Sequence, residues 1–231
     1  MKNILNYLFP RKNITNDSFS LKKKWMKNEL VKEWEKKGWL NEENNILNYM
    51  LSEWEKHKKP VPPPHNVKQS VIWEYQKKYS HDVFIETGTY LGRMIDAQKE
   101  FFKKIYSIEI DKTLFENVVE KYAKHTHIKI YLGDSAYVLK DVMSEIKEPA
   151  IFWLDAHYHR NNIKGAKECP IFEELETIFL SKFDHIILID DARLFVGKNG
   201  YPTLKELSKY IKIINNQYKM EINHDIIHLK K

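Results

Sequence analysis

Cysteine is almost absent from this 231-residue chain, where Cys169 stands alone. No internal disulfide can form, which suits a reducing compartment. With no activating motif around it, the lone thiol reads as inert rather than nucleophilic. Long apolar runs are missing as well. No stretch approaches the ~20 residues of a membrane span, and the opening "MKNILNYLFPRK" is interrupted at Pro10 and Arg11, too early for a signal-peptide core. The expectation is a cytoplasmic protein with no membrane span. No internal repeat is visible.

What is present is enough for one full-sized core with an accessory segment: 42% of residues are hydrophobic and 13% aromatic. The net charge of +6 is unevenly spread. Residues 1–65 hold 13 Lys or Arg against 8 Asp or Glu, and so carry most of it. Any basic partner surface therefore belongs to that segment. It reads as a helix over residues 17–37, with Trp25, Leu30, Val31 and Trp34 near helical spacing and Gly38 as a stop. A second helix follows Asn41, with Ile46, Leu47, Met50, Leu51 and Trp54 in one apolar stripe. The connector "KKPVPPPH", Lys58 to His65, cannot be helical. It divides a helical extension with its linker, 1–65, from a second domain, 66–231. Four of the six tryptophans, Trp25, Trp34, Trp39 and Trp54, precede that division. They either pack the helices onto the second domain or form an aromatic, basic surface for a glycan, an anionic lipid or a protein, and the helices are a candidate homodimer element.

Beyond the linker, strand and helix patterns alternate. "DVFIET", "IYSIEI", "IKIYLGD", "AIFWLDA" and "HIILIDD" read as strands, separated by "RMIDAQKEFFKK", "LFENVVEKYAKH", "AYVLKDVMSEI" and "IFEELETIFLSKF" as helices. "TLKELSKYIKIINNQ" adds a helix, and "KMEINHDIIHLK" two short strands around an Asn-His-Asp turn. Such alternation predicts an α/β fold: a doubly wound, mostly parallel sheet with helices on both faces and a ligand crevice at the strands' carboxyl ends. A terminal hairpin would add an antiparallel edge.

The first strand runs into "FIETGTYLG", Phe84 to Gly92, where Gly88 and Gly92 allow a tight turn close to a ligand. Tyr90 occupies the middle of the G-x-G-x-G pattern, which disfavours a pyrophosphate cradle. Glu109, ending the second strand, follows Gly88 by 21 positions, near the ~20 expected of a carboxylate that binds ribose hydroxyls. Gly133-Asp134-Ser135 ends the third strand. Any one of these pieces might be turn chemistry; their order at the ends of consecutive strands argues otherwise.

With "FIETGTYLG", "YSIEID", "LGDS" and "FWLDAH" in this order, the sequence resembles the class I S-adenosylmethionine-dependent methyltransferases over about residues 66–231. The resemblance implies a seven-stranded sheet of order 3-2-1-4-5-7-6 and S-adenosylmethionine as cofactor. It places Glu86, Thr87, Gly88, Tyr90 and Gly92 along the methionine part, Glu109 on the ribose, Asp134 and Ser135 at the adenine, and Asp155 beside them.

The fourth strand ends in Asp155 and the fifth in Asp190 and Asp191. In a doubly wound sheet these strands are neighbours, so the three carboxylates converge. Such a cluster needs a cation or a set of donors, and a hard divalent ion with oxygen ligands answers that need. The pattern is similar to the metal-dependent O-methyltransferases of the catechol and macrocin types. This implies Mg²⁺ or another divalent cation on Asp155, Asp190 and Asp191, holding two vicinal oxygens of the acceptor. The structural alternative has Asp190 capping the next segment and Asp191 paired with Arg193. A general base is expected just beyond Asp155, where His157, Tyr158 and His159 are candidates and His157 is first choice. Tyr158 stands where the catechol type has a lysine. The segment 161–170, with Lys164 and Lys167, is either a solvated loop or a cover for an anionic acceptor, and residues 192–204 form a second loop at the same end.

The resemblance implies O-methylation of a small-molecule or glycan hydroxyl, most readily on a sugar of a polysaccharide or a glycosylated metabolite. A nucleic-acid methyltransferase is disfavoured, because "LDAH" stands where an Asn/Asp-Pro-Pro-aromatic motif would receive a flipped base. A non-catalytic nucleotide-binding protein and a metal-dependent hydrolase are the remaining alternatives.

Overall fold

The computed structural model describes residues 52, 54–156 and 169–231. The expected helix over 17–37, the one following Asn41 as far as residue 51, three of the four tryptophans, and His157, Tyr158, His159, Lys164 and Lys167 lie outside the described residues. Residues Trp54–Lys231 form one compact unit. Trp54 is buried in it, donating from its indole Nε1 to the Pro60 carbonyl at 2.7 Å and meeting His224 edge-on.

The chain runs through α1 (His65–Tyr79), β1 (Val83–Thr87), α2 (Arg93–Gln98), β2 (Lys104–Glu109), α3 (Lys112–Tyr122), β3 (Ile128–Leu132) and α4 (Ser135–Glu145). Then follow β4 (Ala150–Leu154), α5 (Ile171–Phe179), β5 (Ile186–Ile189), a 3₁₀ turn (Ala192–Leu194), α6 (Leu204–Ile214), β6 (Lys219–Asn223) and β7 (Ile226–Lys230). The seven strands stand in the order β3-β2-β1-β4-β5-β7-β6. β1 to β5 are parallel, and β7 enters antiparallel to β5 with β6 beyond it. The sheet is therefore mixed, its two antiparallel pairings made by the terminal hairpin. Its turn is carried by His224 and Asp225, both at positive φ.

Strand alternation sorts the core into two layers. Val83, Ile85, Phe152, Leu154, Ile187 and Ile189 point to the face covered by Leu139 and Val142 of α4, Leu175 of α5 and Leu207 of α6. Phe84, Ile151, Trp153 and Leu188 point to the other, under Val71 and Ile72 of α1, Ile95 of α2 and Val118 of α3. β1, β4 and β5 are buried along their whole length, as parallel strands covered on both faces must be.

Two local expectations are corrected. The helix expected to run from Arg93 to Lys104 ends at Gln98. The chain must turn there, because Phe102 is drawn into the core beside Phe84 and Lys104 already opens β2. The connector expected to be non-helical through His65 ends at Pro64, the N-cap of α1. His65 already opens that helix, an element not read from the sequence, with Val67, Lys68, Val71 and Ile72 on its buried side.

Candidate active site

Between β1 and β4 the connections leave the sheet in opposite directions, and the strands' carboxyl ends open a crevice there. The loop after β1 bends back over it. Gly88 has φ +86°, and a Cβ there would stand 2.5 Å from the Asp155 carbonyl oxygen, so this loop presses directly on the end of β4. The Gly88 and Thr89 amides donate to the Ile108 carbonyl at 2.9 and 3.2 Å. The Tyr90 amide donates to Glu109 Oε2 at 2.7 Å, and the Asp111 amide to Glu109 Oε1 at 2.9 Å. Glu109 thus fastens the loop to the end of β2. Burial raises its pKa against those backbone donors.

Beneath the loop, Ser107 Oγ donates to Glu86 Oε2 at 2.7 Å and shares a 2.6 Å hydrogen bond with Thr89 Oγ1. Glu86 is buried, and burial pushes its carboxyl up to about 8, with Asp155 and Glu109 adding to the shift and Ser107 opposing it. Asp134 caps α4, accepting from the Ala136 amide at 2.9 Å. The hydroxyls of Thr87 and Ser135, both buried at this edge, have no hydrogen-bond partner among the described residues. Orphaned buried polar atoms are rare in folded proteins. Two of them on residues expected to line a cofactor fit a polar ligand in the crevice.

The carboxylates do converge. One oxygen from each of Asp155, Asp190 and Asp191 lies within 4.8 Å of the others. Asp155 N–H donates to the Thr87 carbonyl and Asp190 N–H to the Leu154 carbonyl, both at 3.0 Å, so the ladder hydrogen bonding of β1, β4 and β5 carries over into the site. Asp191 has φ 56°, a left-handed conformation unusual outside glycine. Three carboxylates in this proximity are a donor set suited to a hard divalent cation.

The chain itself already brings cations to them. Lys68 Nζ, from the first turns of α1, lies 2.6 Å from Asp190 Oδ2 and 3.0 Å from Asp191 Oδ1. Arg193 Nη1 donates to Asp191 Oδ1 at 2.7 Å and also to Asp225 Oδ2, while the Arg193 amide donates to Asp225 Oδ1 at 2.8 Å. The Asp191–Arg193 pair of the structural alternative is therefore formed, whereas Asp190 Oδ1 accepts from the Asp191 amide at 2.7 Å. Burial works against the Lys68 ammonium, but Asp190 and Asp191 outweigh it and raise its pKa. Burial likewise opposes the Asp191 charge, but Lys68 and Arg193 hold it below the usual range. Asp190 goes the other way, pushed up to about 8 by burial first and then by Asp155, despite Lys68.

Lys68, Arg193 in its double role, and Asp225 were not singled out in the sequence. The available signal for Lys68 is its place in the stripe Val67, Lys68, Val71, Ile72, where a lysine interrupts apolar helical spacing. Asp225 gave none, because only the fold returns the β6–β7 turn to this edge. Tyr201, also buried, has its hydroxyl pKa raised by burial first, then by Cys169, Asp191 and Asp155. The Cys169 thiol is buried and pushed up to about 12, chiefly by burial, in line with the inert reading.

No protein-family description and no curated protein matches the chain. Solved structures match it in shape. The S-adenosylhomocysteine-bound methyltransferase PaMTH1 of Podospora anserina is similar at 16% identity and a TM-score of 0.53, over 83% of this chain and 96% of that one. An O-methyltransferase of Bacillus cereus, in complex with S-adenosylhomocysteine, gives 12% identity and a TM-score of 0.53 over 80% and 90%. TomG of Streptomyces achromogenes, an O-methyltransferase involved in tomaymycin synthesis and solved with S-adenosylmethionine, gives 12% and 0.53 over 79% and 87%. At such identities the likeness is one of fold: this chain has the Rossmann-like, seven-stranded architecture of those methyltransferases.

Proposed function

We propose that the chain is an S-adenosylmethionine-dependent O-methyltransferase, assisted by a divalent cation, that methylates a hydroxyl of a sugar in a polysaccharide or a glycosylated metabolite. The observation that carries this reading is the meeting of Asp155, Asp190 and Asp191 within 4.8 Å at the carboxyl edge of the sheet, next to the loop that Glu109 fastens. That edge is where ligands enter doubly wound sheets. The three similar structures, methyltransferases solved with S-adenosylhomocysteine or S-adenosylmethionine, support the same cofactor here.

In this reading residues 66–231 carry the chemistry. Glu86, Thr87, Gly88, Tyr90 and Gly92 line the methionine part of the cofactor, Glu109 accepts from the ribose hydroxyls, and Asp134 and Ser135 border the adenine. The free hydroxyls of Thr87 and Ser135 become hydrogen-bonded on binding. The cofactor supplies an electrophilic methyl group. A divalent cation, where bound by Asp155, Asp190 and Asp191, would lower the pKa of the acceptor hydroxyl and fix its orientation. The hydroxyl proton passes to one of His157, Tyr158 and His159, with His157 preferred. The loop of residues 192–204 and the segment 161–170 would shape the choice of acceptor. The sugar class rests on the likeness of "WLDAHY", "LIDDARLF" and "YPTL" to methyltransferases of carbohydrate gene clusters.

Titrating the purified chain calorimetrically with S-adenosylhomocysteine, in Mg²⁺ and again in EDTA, tests the core of this reading. Binding in both conditions is expected, since the cation serves the acceptor rather than the cofactor. Absence of binding in either would remove the methyltransferase assignment.

A further inference from the structure

Lys68 is a costly residue where it stands. It shares the buried side of α1 with Val67, Val71 and Ile72, and it is 9% exposed. Packing alone would favour an apolar side chain there, since burying an ammonium is expensive unless it is paired. Its pairing is complete and specific: Asp190 Oδ2 at 2.6 Å and Asp191 Oδ1 at 3.0 Å, two of the three carboxylates of the cluster.

A cation held by the cluster would draw on the same two aspartates. Divalent ions sit about 2.0–2.6 Å from carboxylate oxygens, and the ammonium already lies 2.6 Å from Asp190 Oδ2 and 3.0 Å from Asp191 Oδ1. Two positive centres crowded against the same carboxylates in a buried site repel strongly. They therefore exclude each other rather than share the site. The lysine stem is flexible, and a small part of the Lys68 side chain, 11%, still touches solvent, which leaves a way for the ammonium to turn outward.

We propose that Lys68 is the resident counter-cation of the Asp155–Asp190–Asp191 cluster, and that a divalent cation loads by exchange with its ammonium. The inference rests on the metal-assisted reading above and deepens it. The site is never left as an uncompensated set of carboxylates: Lys68 stabilises the metal-free protein, and the same ammonium lowers the apparent metal affinity. Arg193 does not take part in the exchange, because Asp225 holds it from the other side through both its side chain and its amide.

The test is Mn²⁺ binding to the full chain, followed by the electron paramagnetic resonance signal of free Mn²⁺, in wild type and in Lys68→Met. Methionine keeps an unbranched stem and removes the charge. The variant is expected to bind Mn²⁺ at least about tenfold more tightly, to melt below wild type in EDTA, and to recover that loss when Mn²⁺ is added. Adding Asp190→Asn to the variant should abolish the tighter binding, which assigns the ion to this cluster.

Equal Mn²⁺ affinities in wild type and Lys68→Met would overturn the exchange and leave the metal reading standing. Tight binding by the variant and none by wild type would support the exclusion by Lys68 and overturn metal assistance in the native chain. No binding by either would overturn both. Should Lys68→Met fail to fold, Lys68→Arg reverses the sign: a guanidinium that can bridge both carboxylates is expected to weaken Mn²⁺ binding, and unchanged or tighter binding would overturn the exchange.

Discussion

At Gly88 the backbone itself is the functional feature. Its φ of +86° is outside the comfortable range of any residue with a Cβ, and that Cβ would overlap the Asp155 carbonyl oxygen at 2.5 Å, an atom that cannot swing aside. Gly88→Ala is therefore expected to destabilise the protein by about 2 kcal/mol or more, from backbone strain together with the clash. The measurement is urea unfolding of the ligand-free protein. A change within about 0.5 kcal/mol, typical of a neutral surface position, would mean that the loop does not press on β4. The glycine, Glu109 and the three aspartates were legible because each is a polar or special residue at the end of an apolar run. Lys68 was not, because a single charge in an amphipathic helix ordinarily reads as solvated. Its partners lie more than a hundred residues away in sequence, so only the fold shows what it faces.

Among the elements, α6 shows how far local signals reach. Thr203 Oγ1 accepts from the Glu206 amide at 3.1 Å, and Glu206 Oε2 accepts from the Thr203 amide at 2.7 Å, a reciprocal capping box written in the sequence as Thr-x-x-Glu. Thr203→Ala should cost about 1 kcal/mol, seen as a fall in melting temperature of roughly 2–4 °C for a chain of this size. Affinity for S-adenosylhomocysteine should be unchanged, since Leu207 of α6 packs into the core layer with α4 and α5 while Glu109 is held by the Tyr90 and Asp111 amides. A loss of affinity comparable to the loss of stability would couple α6 to the cofactor crevice and contradict this. The buried strands were read correctly for the same local reason, an apolar run too short for a helix and ended by a turn. α1 and the end of α2 escaped because tertiary needs decide them. Lys68 interrupts the apolar stripe of α1 so that it can reach Asp190, and α2 stops early so that Phe102 can pack on Phe84.

For the molecule as a whole, the order β3-β2-β1-β4-β5-β7-β6 explains both the site and its electrical cost. Placing β1, β4 and β5 side by side gathers carboxylates at one buried edge, and the same burial acts on Glu86 and on His185. Glu86 has its pKa raised from 4.5 to about 8, chiefly by burial. The native state therefore holds a proton that the unfolded chain releases from about pH 4.5 upward, so stability falls as pH rises towards 8. The slope is at most about 1.4 kcal/mol per pH unit for one group. His185 has the opposite sign. It accepts from the Ala150 amide at 3.0 Å, shares a 2.8 Å hydrogen bond with Ser181 and is buried, and its pKa is lowered from 6.5 to about 4, again mainly by burial. Its contribution is complete above pH 6.5 and is lost as pH falls towards 4. Between pH 4.5 and 6.5 the two slopes oppose and nearly cancel, so these groups together give a broad plateau there, with stability declining above pH 6.5 towards 8 and below pH 4.5 towards 4. Thermal melting across pH 4–9 measures this. Glu86→Gln keeps the acceptor for Ser107 Oγ and removes the titrating proton, so it should flatten the decline above pH 6.5 and turn the plateau between pH 4.5 and 6.5 into the rise that His185 alone gives. An alkaline limb unchanged by Glu86→Gln would move its cause to another buried acid, and Asp190, with its carboxyl pushed up to about 8, would be the next to replace.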